Sequence, residues 1–155
     1  SSVWLRTAAG YVSGNPDISI SNFYLGGFGN NYVDSREIKR YREWYSYPGF
    51  GIDAIRGQSF VRPMVEWNVS PYVFESAGTP ALHLAWLRPA IFASALWTDV
   101  DRSSLRKDYA SVGAQADLRF SVLHWYDMTL SVGYAVGFRE GRRAGDEWMV
   151  SLKIM

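Results

Sequence analysis

Tyr109-Ala110-Ser111-Val112-Gly113-Ala114-Gln115-Ala116-Asp117-Leu118-Arg119-Phe120-Ser121-Val122 alternates apolar and polar side chains almost without error. Two later runs repeat the pattern. Met128, Leu130, Val132, Tyr134, Val136 and Phe138 alternate with Thr129, Ser131, Gly133, Ala135 and Gly137; Trp148, Val150, Leu152 and Ile154 alternate with Glu147, Met149, Ser151 and Lys153. Successive side chains of a β-strand point to opposite faces, so each run predicts a strand with one apolar and one polar face. Short connections make the three antiparallel neighbours. Each is about the length of a tilted membrane-crossing strand, roughly 9–11 residues.

Alternation does not say which face meets water. A soluble barrel turns its apolar face inward and a membrane barrel turns it outward. The polar face of the second run offers only Thr, Ser, Gly and Ala, where a solvated surface would carry Lys and Glu. Small residues suit a crowded barrel interior, which favours the membrane. The alternative is a soluble β-barrel binding an apolar small ligand.

Upstream, strands are predicted over 3–12, 60–69 and 81–97. In the first, Leu5, Thr7, Ala9 and Tyr11 share one face and Trp4, Arg6, Ala8 and Gly10 the other. In the second, Pro63 cannot donate to a ladder and marks an edge, a bulge or a weak register. In the third, Arg88-Pro89 is expected to shift the phase. The expectation is therefore an all-β fold: an antiparallel up-and-down transmembrane sheet of about six strands, a single domain over 1–155 with a long lumen or extracellular loop at 26–58. Six strands are fewer than the roughly eight of the smallest single-chain barrels, so the sheet is read as part of a larger one. A runner-up closes an eight-stranded barrel with 18–25 and 50–56. Asp34 and Glu37 have the spacing of a capping box for a short helix carrying Ile38, Tyr41 and Tyr45 on one face.

Connections alternate between charged (13–59, 98–108, 139–146) and shorter or nearly uncharged (70–80, 123–127), as loops and turns of outer-membrane barrels do. Aromatic rings gather near strand ends. Trp67, Tyr72, Phe74, Trp125 and Tyr126 lie toward the turn side, and Trp97, Tyr109, Phe138 and Trp148 toward the loop side, as two interfacial belts.

Composition narrows the functional classes. A formal net charge of +1 gives no bulk electrostatic case for nucleic acid, and the absence of cysteine excludes disulfides and thiolate metal sites. Seven Trp and ten Tyr fit a protein with two membrane interfaces. The most apolar long run, 81–97, is interrupted by His83, Arg88 and Pro89, so it is no membrane helix. His83 and His124 lack metal-ligand spacing, and there is no nucleophile elbow, paired-His helix or phosphate loop. Asn68-Val69-Ser70 matches a glycosylation sequon of the kind chance produces. No enzyme activity and no cofactor are expected. Arg62, Glu66, Asp117, Arg119 and Lys153 are placed in the lumen as a structural charge network. Arg40, Arg42 and Tyr45 belong to a loop that packs into the barrel, with Arg40 or Arg42 seeking Glu66 or Asp117.

Phe23-Tyr24-Leu25-Gly26-Gly27 after a strand, a long loop, a strand ending Val65-Glu66-Trp67, an aromatic strand over 90–97, then the Gly113-Ala114-Gln115, Gly133-Tyr134-Ala135 and last strands together resemble the C-terminal part of the bacterial surface-antigen superfamily. That superfamily contains the barrel-assembly and two-partner-secretion outer-membrane proteins. The resemblance covers nearly the whole chain and rests on pattern. It implies the last six strands of a 16-stranded barrel in the bacterial outer membrane, with the long loop folded into the lumen. The family's Arg-Gly motif after the Gly-Gly pair is replaced by Phe28-Gly29-Asn30-Asn31, and Ser94 stands near the place of its acidic partner. Both departures point to a divergent branch like the barrels behind WD40-like propellers. The implied role is anchoring, protein secretion or outer-membrane assembly. The implied partners are lipid, the rest of the barrel upstream and the assembly machinery during biogenesis.

Overall fold

The computed structural model describes residues 1–15, 17–28, 39–123 and 125–154. Six long strands follow one another across an antiparallel sheet: β1 (Ser2–Tyr11), β4 (Ser59–Asn68), β7 (Leu82–Thr98), β8 (Lys107–Val122), β9 (Tyr126–Arg139) and β10 (Arg142–Ile154). Two short pieces, β5 (Tyr72–Val73) and β6 (Gly78–Thr79), flank the first half of β7. Between β1 and β4, β2 (Phe23–Leu25) and β3 (Ile55–Gly57) pair as a separate two-stranded ribbon. They add no strands to the main sheet, so the eight-stranded closure is not formed. The sheet is open: among the described residues β1 pairs only with β4, and β10 only with β9.

The alternation in the sequence becomes a sheet with opposed faces. Register lines up Val3, Trp67, Ile91, Ala114, Tyr134 and Trp148 in one cross-strand row. Further along, Leu87, Leu118, Leu130 and Leu152 form another. This apolar side is the open face. The opposite side carries Glu66, Phe92, Gly113, Ala135 and Glu147 in one row and Arg88, Asp117, Ser131 and Ser151 in another. That side is covered by the chain between β1 and β4.

Several local expectations change. Arg88-Pro89 does not shift the phase: Pro89 stays in register with Ala116, and the irregularity lies between Leu84 and Trp86. Val69 donates to the Pro89 carbonyl at 3.1 Å, so the missing proline N–H falls where β4 ends. Pro63 stays in register with Thr7 of β1, while the ladder to β7 skips from Val61 to Met64 without slipping. The charged stretch 139–146 is no loop. Glu140 (φ 50°) and Gly141 (φ 76°) make a two-residue hairpin turn with positive φ at both positions, and Arg142, Arg143 and Asp146 are already in β10. The contrast between long and short connections is accordingly weaker than the charge pattern implied. Asp34 and Glu37 lie outside the described residues, and among the described residues there is no α-helix, only 3-10 turns at Ser19–Ser21 and Arg40–Arg42.

Candidate functional site: the loop-covered polar face

The covering segment holds itself to the sheet by two apolar clusters. In one, Leu25, Tyr47 and Ile55 from the segment meet Phe60, Leu96 and Tyr109 from β4, β7 and β8. In the other, Phe28 and Tyr41 meet Met64, Phe92 and Ala135, and the Tyr41 ring stacks on Phe92 at 4.1 Å. Small residues on the sheet make room. A Cβ on Gly137 would lie 2.4 Å from the Phe50 ring and 2.6 Å from the Gly49 carbonyl. Gly49 itself has φ +91°, a backbone that favours glycine. The Ser, Gly and Ala content of the polar face is therefore the footprint of the seated loop.

Polar contacts fasten the segment to four strands. On β4, buried Arg62 donates to the main-chain carbonyls of Tyr41 (2.7 Å), Glu43 (2.5 Å) and Trp44 (3.3 Å). Its guanidinium also lies over the Tyr47 ring. Four residues on, the Glu66 carboxylate is fully buried and accepts from Arg42 Nε (2.9 Å) and Nη2 (2.6 Å), with Lys39 Nζ at 3.6 Å. On β7, the Ser94 carbonyl accepts from the Tyr47 hydroxyl at 3.3 Å. On β8, Ser111 donates to the Pro48 carbonyl at 2.5 Å. On β10, Glu147 accepts from the Phe28 amide (3.1 Å) and the Gly49 amide (3.2 Å).

Burial depresses the Lys39 ammonium below the ordinary lysine range, although Asp117 and Glu66 pull the other way. Burial raises the Tyr41 and Tyr47 phenols well above the usual tyrosine value, so both stay neutral.

The five lumen charges named from sequence fall into separate groups. Arg62 and Glu66 hold the loop. Asp117 is fully buried, accepts from Gln115 Nε2 (2.6 Å) and Ser131 (2.8 Å), and has Arg88 at 3.8 Å. Arg119 pairs with Asp127 at 2.8 Å near the β8–β9 turn. Lys153 is half-buried on the edge strand. In the loop, Arg40 is buried, Arg42 reaches Glu66, and the Tyr45 carbonyl accepts from Gly26. Glu147 was missed as an anchor; its signal was strand parity, opposite to that of exposed Trp148.

Of the aromatic residues, Trp97 and Phe138 stand at the end carrying the β7–β8 and β9–β10 connections, and exposed Trp125 and Tyr126 at the other. Trp67 and Trp148 share one cross-strand row, so they stand level along the strands and not at opposite ends. Tyr109 turns to the covered face and packs edge-on against Phe50.

Among the described residues no cluster of three or more His, Cys, Asp or Glu could hold a metal ion, and no helix is long and apolar enough to cross a membrane. No protein-family model, curated protein or solved structure matches the chain.

Proposed function

We propose that this chain is the membrane-embedded C-terminal segment of a bacterial outer-membrane β-barrel protein, serving in anchoring, protein secretion or outer-membrane assembly. One observation carries the reading: burial runs opposite to polarity along the strands. On β8, Val112 is 49 % exposed while Gln115 and Asp117 are 2 % and 0 % exposed. Val65, Ile91, Val132, Val150, Leu152 and Ile154 are likewise exposed on the open face. A contiguous apolar surface of this kind is far beyond the scattered apolar residues of a water-facing sheet.

The dimensions agree with lipid contact. From Ala110 to Phe120 the open-face residues of β8 cover about 34 Å along the strand, and at a tilt of about 45° that is about 24 Å of height, close to the roughly 25 Å apolar band of outer-membrane barrels. The loop seated on the opposite face supports the surface-antigen resemblance, in which the long loop folds into the lumen. Because that seat is filled by protein side chains, anchoring is the role best supported. A soluble barrel with an apolar ligand is disfavoured, since the apolar side chains point away from the enclosed side.

In lipid, the free edges of β1 and β10 would each leave unpaired backbone groups, at a cost of several kcal/mol per group. The working partners are therefore outer-membrane lipid and further strands of the same barrel, delivered with the help of the assembly machinery. Reconstitution into vesicles of brominated phosphatidylcholine tests the reading. Trp67 and Trp148 fluorescence should be quenched and Trp44 spared. A chain that stays folded and monomeric in detergent-free buffer would overturn it.

A further inference from the structure

Beside β1 the covered face holds an excess of positive charge. A cavity of about 210 Å³ is lined by Arg6, Thr7, Ala8, Arg42, Trp44, Arg62 and Met64. It has three guanidinium groups on its wall and no carboxylate. Arg42 is bound to Glu66. Arg62 donates to main-chain carbonyls and to the Met64 sulfur, and its Nε is buried without a hydrogen-bond partner. Arg6 lies over the Trp4 ring at 5.4 Å, and its Nε is buried without a hydrogen-bond partner. Among the described residues neither Arg6 nor Arg62 has a carboxylate within ion-pair distance. Cations so placed on a protein-filled face call for a nearby anion. Arg6 belongs to the strand whose outer edge is unpaired, so that anion has an obvious route in.

We infer that the free edge of β1 receives an antiparallel β-strand from a separate polypeptide segment, apolar on the open face and bearing a carboxylate on the covered face beside Arg6. The inference rests on the barrel reading and adds the chemistry of the neighbour. Main-chain pairing along β1 would supply affinity, and the inward carboxylate would set register, since a slip by one residue would turn it to the apolar face. A second copy of this chain is a poor occupant. Its β10 edge offers Glu147, already bound to the Phe28 and Gly49 amides, and Lys153, of the same sign as Arg6.

The chain has no cysteine, so Ala9→Cys on the exposed face of β1 gives a unique attachment point. The probes are two synthetic strands of about ten residues, a length that spans the band. They alternate Val or Leu with Ser or Thr, carry one cysteine, and have Glu in one and Lys in the other at the inward position facing Arg6. In dodecyl maltoside micelles the Glu strand should form the disulfide about tenfold more readily than the Lys strand. Arg6→Glu should invert the preference and Arg6→Gln should erase it. Equal yields, no cross-linking of either strand, or a preference unchanged in both variants would overturn the inference, as would a dimer joined from β1 to β10. Quenching of Trp67 by brominated detergent is read on the same samples. Quenching without charge preference removes only the neighbour proposal, whereas loss of quenching removes the barrel reading beneath it.

Discussion

Arg42 and Glu66 meet through two hydrogen bonds, 2.9 and 2.6 Å long, between a 3-10 turn of the covering segment and the middle strand of the β1–β4–β7 group. The carboxylate is fully buried, with Lys39 as a second cation 3.6 Å away. Removing one partner of a buried pair is costly mainly because the other is left uncompensated.

Arg42→Leu should therefore lower stability by about 3 kcal/mol, with Lys39 limiting the loss, and the double change Arg42→Leu/Glu66→Leu should recover most of it. Urea titration in micelles measures both. Trypsin should also cut faster at Arg40 in the single variant. A double variant no more stable than the single one would refute the account.

Lipid contact predicts an asymmetry between faces. Val132→Arg and Leu118→Arg should each cost about 2–4 kcal/mol of stability in bilayers near the midplane. Gly133 faces the covered side but is a poor control, because a Cβ there would lie 3.0 Å from the Phe28 ring. Ser151→Arg on the covered parity of the edge strand is the sounder comparison, with a penalty of about 1 kcal/mol or less. Equal penalties at Val132 and Ser151 would contradict the assignment of faces.

Gly137→Ala probes the seat of the loop. The added methyl meets both the Phe50 ring and the Gly49 carbonyl, so the cost should be about 1–3 kcal/mol, typical of overpacking. Proteolysis around Phe50 should accelerate. Unchanged stability and cleavage would mean that the loop is not pressed against β9.

Lys39 gives the covered face a pH dependence of definite sign. Burial lowers its pKa in the folded chain, so between that value and the ordinary lysine value the unfolded chain holds more protons. Stability should rise with pH across that window, and the penalty is fully present below it. Lys39→Met should flatten the slope; an unaltered slope in denaturant titrations across the alkaline range would assign it to another group.

Strand number and order were legible, and facing too except on the 81–97 strand, because parity survives almost every local irregularity; there Arg88-Pro89 suggested a phase shift that the register does not show. Val112 and Asp117 reveal opposite faces of β8 from sequence alone. What stayed hidden has physical reasons. Arg142, Arg143 and Asp146 read as a loop because exposed charge was taken for a connection, yet they lie on β10, where Asp146 ends the open-face row of Val65, Ala93, Val112 and Val136. Tyr109 read as a belt residue by ring type, but its parity is that of Ser111, so it faces the loop. Glu147 looked like an ordinary alternating polar residue until two amides from distant turns were found on its oxygens. That Arg40 or Arg42 would seek Glu66 or Asp117 was legible because a buried acid needs a cation; that the pair is Arg42 with Glu66 was not. The open row level of Trp67 and Trp148 depends on register, which no single strand encodes.

The two bonds of Glu147 also have a kinetic meaning. Its partners Phe28 and Gly49 lie 119 and 98 positions earlier in the chain. Closing such long loops is slow in chain entropy and must precede any energetic return. The early strands can pair with their neighbours as they emerge, but the covering segment cannot reach its final fit until β10 has been made and laid down. Maturation of the enclosed side is thus timed by the arrival of β10.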